Sequence, residues 1–280
     1  MLMKFTKMHG LGNDFVVIDA VTQNVRITGA MARRLADRKT GIGCDQVLVV
    51  EPPADPEVDF NYRIFNCDGA EVEQCGNGAR CLARFVHDRQ LTGKKSIQVK
   101  TCNRVITLDL LNKNQVAVDM GIPDMDPAAL PFEADPRPEG ATPLYDIEVN
   151  GTIEQIFAVS MGNPHAVLSV ADVATAPVLQ LGAALESHPR FPKHVNVGFM
   201  QIVDRNEIRL RVFERGVGET EACGTGACAA AVAAIQQQRV DSPVTVQLTR
   251  GTLKIDWKGE GHPLIMTGPA ATVFHGRIRI

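Results

Sequence analysis

The sequence predicts an α+β protein made of two pseudo-symmetric domains from an internal duplication, each with β-sheet wrapped around a central helix. Three observations carry that expectation. First, a cysteine–glycine segment occurs twice, as EVEQCGNGARCLARF over 71–85 and as ETEACGTGACAA over 219–230. The copies match Glu71 with Glu219, Glu73 with Glu221, Cys75 with Cys223, Gly76 with Gly224, Gly78 with Gly226 and Ala79 with Ala227. Second, each copy follows a strand-like run (NYRIFN or EIRLRVFER) and opens an alanine-rich stretch that reads as a helix. Third, the order of elements around the copies repeats once, at about half the chain length. A solenoid would show a period of roughly 20–50 residues instead.

Taken in order, the first half begins with a strand from Met3, a glycine-containing turn at 9–14 and a second strand, DFVVIDA. A helix over 28–39 has Thr28 as its N-cap, an apolar face at Met31 and Leu35, and a stop at Gly41. The run DQVLVV reads as a buried strand, NYRIFN as the next, and the first cysteine motif opens a helix to about Gln90. Three alternating segments, SIQVKT, RVITLDLL and QVAVDMG, form antiparallel strands with turns at 102–103 and 112–114. Between Ile122 and Pro143 the composition changes: six of the sixteen prolines fall there, marking a linker or irregular crossing segment and the domain boundary.

The second half repeats the order. Asn150–Gly151 is the strongest hairpin signal in the chain. Gly162–Asn163 stands where Gly12–Asn13 stood, and a short helix over 177–186 matches that of 28–39. VNVGFMQIV follows in the place of DQVLVV, with Asn196 in the position of Gln46. The second motif opens a helix through about Gln238, small and apolar nearly all round, as suits a helix buried among strands. TVFHGRIRI is one strand beyond what the repeat requires.

With 280 residues, 45% hydrophobic and 22% charged, the chain has the composition of a soluble globular protein of one large domain or two smaller ones. A net charge of −3 without a basic cluster argues against nucleic acid as a partner. No apolar run reaches the roughly 20 residues of a membrane helix, and MLMKFTKMHG lacks a signal-peptide pattern, so a cytoplasmic protein without membrane contact is expected. The seven cysteines are odd in number and contain no CxxC pair, which fits neither a disulfide framework nor a zinc ribbon. Cys44, Cys81, Cys102 and Cys228 read as small buried hydrophobes, and nothing in the setting of Cys67 marks it as a base.

Cys75 and Cys223 are different, because each stands at a strand-to-helix junction. Free N–H groups and the positive end of the helix dipole favour a thiolate there, and the glycines let the backbone approach an anion. An unperturbed thiol is only about 3% ionised at pH 7, and a helix N-terminus is worth about one pKa unit. One thiolate and one thiol, presented by the two domains to one pocket, form a base and an acid on opposite sides of a ligand. Taking a proton from one face and returning one to the other inverts a stereocentre and asks for no metal or other cofactor. The amides Asn13, Gln46, Asn66, Asn77, Asn163 and Asn196 recur at repeat-related places and form a hydrogen-bond lining for a polar ligand. Glu214–Arg215 fits the amine and carboxylate of a zwitterion, the arginine forking onto the carboxylate. His165 could tune a nearby thiol or be structural.

The segments MHGLGNDFVVID, FNCDGAEVEQCGNGARC, MGNPH, VNVGF and ERGVGETEACGTGACA resemble the signature segments of the diaminopimelate epimerases, in order from Lys7 to about Ala230. The resemblance implies a cofactor-independent isomerase interconverting LL- and meso-2,6-diaminopimelate in lysine and peptidoglycan synthesis, with Cys75 and Cys223 as base and acid. It implies substrate binding by Asn13, Gln46, Asn66, Asn163, Asn196, Glu214 and Arg215. Gly76, Asn77, Gly224 and Thr225 would hold the reacting carboxylate, and His165 and Glu214 would support the thiols. It also implies domains of residues 1–122 plus 270–280 and 123–269, and a homodimer. The family's dimer contact includes a tyrosine where this chain has Phe274, so that hydroxyl's hydrogen bond is absent. Two alternatives stay open: a proline or hydroxyproline racemase-type activity, and a ligand-binding or redox-sensing protein with a switchable disulfide.

Overall fold

The computed structural model describes residues 2–72, 75–112, 114–136, 138 and 140–279; the expected match of Glu73 with Glu221 lies outside them. Contacts divide the chain into two compact units. One runs up to Asp119 and includes the segment from Thr267 onward; the other is Met120–Met266.

In the first unit, β1 (Leu2–Gly10) and β2 (Asn13–Asp19) pair antiparallel. Leu11 and Gly12 alone make the turn, at φ 55° and 92°. Two successive positive φ angles give the twist that a two-residue hairpin needs. The turn is tighter than the expected 9–14 segment, and it sets Asn13 at the first position of β2.

Helix α1 (Gly29–Ala36) begins as expected at Thr28, which accepts the Met31 N–H. It stops short of Lys39 because the Asp37 carboxylate accepts the Lys39 and Thr40 amides, an alternative to continuing the helix. β3 (Gln46–Glu51) lies parallel to β2, and β4 (Phe60–Asn66) antiparallel to β3. β5 (Glu71–Val72) folds back on β4 and leads into α2 (Gly76–Asp88). β6 (Ser96–Lys100) runs parallel to β4, and β7 (Val105–Leu110) and β8 (Gln115–Asp119) complete a meander.

The second unit opens with the proline-rich stretch, which is less of a linker than its composition suggests. Leu130 and Phe132 are buried in the unit's core, and Asp124 bridges to Ser160. β9 (Leu144–Val149) and β10 (Thr152–Ser160) turn at Asn150–Gly151, again with two positive φ angles. β11 (Pro164–Ser169) is antiparallel to β10. After α3 (Val178–Glu186), β12 (Asn196–Asp204) lies parallel to β11 and β13 (Glu207–Glu214) antiparallel to β12. β14 (Gly218–Thr220) folds back on β13 and leads into α4 (Gly224–Gln236). β15 (Val244–Leu248) is parallel to β13, β16 (Gly251–Trp257) antiparallel to β15, and β17 (Leu264–Pro269) and β18 (Ala271–Arg279) close the chain.

The pairing pattern corrects one expectation. The series β9, β10, β11, β12, β13, β15, β16 pairs antiparallel twice, then parallel, antiparallel, parallel and antiparallel. The series β18, β1, β2, β3, β4, β6, β7 pairs in the same way. TVFHGRIRI is therefore not surplus: β18 fills beside β1 the place that β9 fills beside β10.

Each unit surrounds one helix. α2 packs on β1, β2, β3, β7 and β8, and α4 on β10 to β13, β15 and β16. Residues 226–234 of α4 are all buried, and their small side chains let strands approach on every side. α1 and α3 cover the other faces, closing cores around Ile18, Leu35 and Val49 in one unit and Leu168, Leu185 and Phe199 in the other. The central helices also end alike. Gln90 and Gln238 take φ 55° and 56°, with paired bonds from Gln90 and Leu91 to His87 and Val86, and from Gln238 and Arg239 to Ile235 and Ala234. This is the Schellman pattern, made here without its usual glycine. Among the described residues no helix is long and apolar enough to cross a membrane.

Candidate active site

Both motif cysteines are helix N-caps. Cys75 caps α2 with extended backbone (φ −145°, ψ 106°), and its Sγ accepts the Gly78 N–H at 3.3 Å. Cys223 caps α4 (φ −117°, ψ 113°), and its Sγ accepts the Gly226 N–H at the same 3.3 Å. Sulfur thus takes the role usually given to a serine or aspartate oxygen. The glycines are required by packing. A Cβ at Gly78 would lie 2.4 Å from the Tyr62 hydroxyl, and one at Gly226 would lie 3.0 Å from a Val212 methyl.

The surroundings of the two sulfurs differ. Asn13 Oδ1 lies 3.8 Å from Cys75 Sγ and accepts from Asn77 Nδ2 at 3.3 Å. Its Nδ2 donates to Asp45 at 2.9 Å, which fixes which end of the Asn13 amide faces the thiol. Asp45 is itself held by the Asp14 N–H and by Arg38. Sequence reasoning missed Asp45, whose only signal is its place next to Gln46. Gln46 donates to Asn66 Oδ1 at 2.8 Å, and Gln46 Oε1 is buried with no partner among the described residues. A buried acceptor left open is one that a bound donor would satisfy.

Around Cys223, Thr225 Oγ1 is 3.6 Å from Sγ and accepts from Asn163 Nδ2 at 3.4 Å. Asn163 Oδ1 pairs with His165 Nε2 at 3.1 Å. Burial, with Arg215 nearby, lowers the His165 pKa to about 3, so the ring is neutral at pH 7 and its proton sits on Nε2. His165 therefore connects to the thiol through Asn163 and Thr225, as a neutral donor rather than a neighbouring cation. Burial pushes the Cys223 thiol well above the ordinary range, and the Glu214 carboxylate pushes it further; bonds from Thr225 and Gly226 oppose both. For this cysteine, burial and the Glu214 charge outweigh the bonds that favour a thiolate. Glu214 in turn accepts the Thr220 hydroxyl.

The remaining expected residues occupy varied settings. Asn196 is buried, donating to Pro164 O at 3.0 Å and accepting the Arg215 N–H at 3.0 Å, so it fixes the backbone that carries Arg215. Arg215 is exposed and its guanidinium donates to Lys193 O at 3.2 Å. Gly76 and Gly224 are the first residues of their helices, where N–H groups lack intrahelical acceptors. Cys44, Cys81 and Cys228 are buried as expected, and Cys67 is exposed; Cys102 is a correction, exposed in the turn between β6 and β7.

Two further features escaped the sequence reading. Arg63 forks onto Glu71 (2.8 and 2.8 Å) and Arg211 onto Glu219 (2.7 and 3.0 Å), so the same bidentate pair braces β5 and β14 before each cap. The signal was available, because both arginines keep the cysteines' offset. Arg80, in α2, is fully buried where α4 has Cys228.

Comparison with known proteins gives a consistent assignment. The family model described as Diaminopimelate epimerase matches residues 5–125 and 157–273. A protein of Pseudomonas entomophila (strain L48) named diaminopimelate epimerase is 60% identical over 280 residues, covering all of both chains. One of that name from Azotobacter vinelandii is 59% identical over the same span. Among solved structures, a hydroxyproline epimerase from Agrobacterium vitis superposes with a TM-score of 0.70 at 14% identity, over 99% of this chain and 92% of that one. That likeness is one of fold. On the match to the family model over most of the chain and to relatives over all of it, the chain belongs to the diaminopimelate epimerase family.

Proposed function

We propose that the protein epimerises 2,6-diaminopimelate between its LL and meso forms, with Cys75 and Cys223 exchanging the α-proton. The observation that carries this reading is the duplicated cap: two cysteines, each first in line at the start of a buried helix, each held by the N–H of a glycine. One thiolate takes the α-proton, and the electron pair left on carbon spreads into the substrate carboxylate. The opposite thiol then delivers its own proton to the other face, leaving one thiol and one thiolate with roles reversed.

The chain's residues would lower the barrier by placing donors where charge develops. The amides of Gly76, Asn77, Gly224 and Thr225, at two helix N-termini, suit the carboxylate that takes up that charge. Asn13, Gln46, Asn66, Asn163, Asn196, Glu214 and Arg215 would hold the substrate, the last two by its charges. His165 would support Cys223 through Asn163 and Thr225. The chemistry needs no cofactor, since the two sulfurs supply acid and base.

The same reading makes the protein a homodimer working in the cytoplasm, in lysine and peptidoglycan synthesis. Exposed Val273 and Phe274 on β18 support an apolar contact between copies. Chiral analysis of LL-diaminopimelate incubated with purified protein and thiol reductant should show meso product without added cofactor. Conversion of proline or hydroxyproline instead would move the chain to the racemase-type alternative. Gel filtration at the monomer's volume would remove the dimer.

A further inference from the structure

The first cap contains a charge that the second lacks. Arg80 has no exposed surface, and its repeat counterpart is the small Cys228. A guanidinium out of water must have its donors satisfied by the protein. Arg80 Nε donates to the Pro269 carbonyl at 3.0 Å, and Nη2 donates to Asn77 Oδ1 at 2.8 Å. Because the guanidinium takes Oδ1, the Asn77 amide presents Nδ2 towards Asn13 Oδ1, the oxygen 3.8 Å from the Cys75 sulfur. Asp45 holds Asn13 from its other end. Packing enforces the arrangement: a Cβ at Gly10 would lie 3.1 Å from Arg80 Nη2 and 3.4 Å from Asn77 Cβ. The guanidinium is also felt electrostatically in this helix, since it opposes the burial that lifts the Cys81 thiol to about 12.

We propose that Arg80 is a positioning residue for the first thiol: its guanidinium fixes the Asn77 amide, and through it Asn13, so that Cys75 is held in one orientation at the start of α2. The proposal rests on reading Cys75 as a proton-transfer group. A lysine would not replace it, because one ammonium lacks the rigid fork that serves the Pro269 carbonyl and the Asn77 amide together.

The test compares Arg80→Met, Arg80→Lys and Asn77→Thr, the last placing in the first cap the residue that the second cap uses. Each variant is assayed for kcat and KM, and its Cys75 and Cys223 are alkylated with iodoacetamide and quantified by peptide mapping. Misplacing the thiol should lower kcat of Arg80→Met about 100-fold with KM within about threefold. Its Cys75 should alkylate at least about fivefold more slowly relative to Cys223 in the same molecule, because a thiol no longer held at the start of the helix loses the N–H groups that favour its thiolate. Arg80→Lys should fall between Arg80→Met and the parent. If Arg80→Met fails to fold, Asn77→Thr breaks the same link with the guanidinium retained and should shift the ratio the same way. A folded variant with an unchanged ratio, or with both cysteines altered equally, would overturn the proposal. A parent protein inactive on diaminopimelate would overturn the epimerase reading instead, while the alkylation ratio would still judge Arg80.

Discussion

The caps of α2 and α4 match at the positions that hold the backbone. Cysteine at the N-cap, glycine three residues on, the forked Arg63–Glu71 or Arg211–Glu219 pair before it, and glutamine at positive φ beyond the helix end all recur at one offset. They diverge where charge meets sulfur. The first cap has Asn66, Asn77 and buried Arg80; the second has Glu214, Thr225 and Cys228 at the same places. The scaffold of the duplicated half was kept and its electrostatics were not. Two identical thiols thus stand in different surroundings.

The largest expected effect removes the comparison altogether. Cys75→Ala and Cys223→Ala should each lower epimerisation at least about 10³-fold, because acid and base act as one unit and their losses do not add. Initial rates by chiral chromatography measure this, and substantial activity in either single variant would break the two-thiol scheme.

Next comes the charge that marks the second cap. Glu214→Gln should lower kcat about 100-fold if the carboxylate holds substrate or thiol. The Glu214 charge raises the Cys223 pKa, so the neutral amide should let it fall and shift Cys223 alkylation to lower pH. An unmoved or upward-shifted alkylation profile would show that burial alone sets this thiol.

The glycines sharpen the comparison of frames. Gly78→Ala meets the Tyr62 hydroxyl at 2.4 Å and Gly226→Ala meets Val212 at 3.0 Å, so both should destabilise, by about 1–3 kcal/mol, the first more than the second. Thermal unfolding would reveal the order, and equal losses would contradict it.

The smallest effect lies at the far helix ends. Gln90→Gly and Gln238→Gly relieve positive φ at equivalent positions, and each should stabilise by about 0.5–1 kcal/mol, raising Tm by about 1–4 °C. A fall in Tm in one of them would mean that its side chain makes a compensating contact.

What was legible in the sequence were features with a local cause. Thr28 caps because a hydroxyl meets a free N–H, Asn150–Gly151 turns because both residues tolerate positive φ, and the cysteine caps announce themselves by the repeat. Features decided by distant neighbours were hidden. An arginine five residues into a helix reads as a solvated side chain, and distant acceptors such as the carbonyl of Pro269, with the amide of Asn77, make burial of Arg80 tenable. β18 looked surplus because its partner, β1, lies at the opposite end of the chain. His165 could tune a thiol or be structural, and what the sequence hid is its burial beside Arg215, which keeps the ring neutral.

The central claim is that the proton removed and the proton returned belong to different thiols. Incubating LL-diaminopimelate in deuterated water and analysing both isomers at early conversion tests it most directly. The account predicts deuterium at the inverted carbon of newly formed meso product and little in recovered substrate, whose proton stays on the abstracting sulfur long enough to be returned. Early product that keeps the substrate's own α-proton would contradict it.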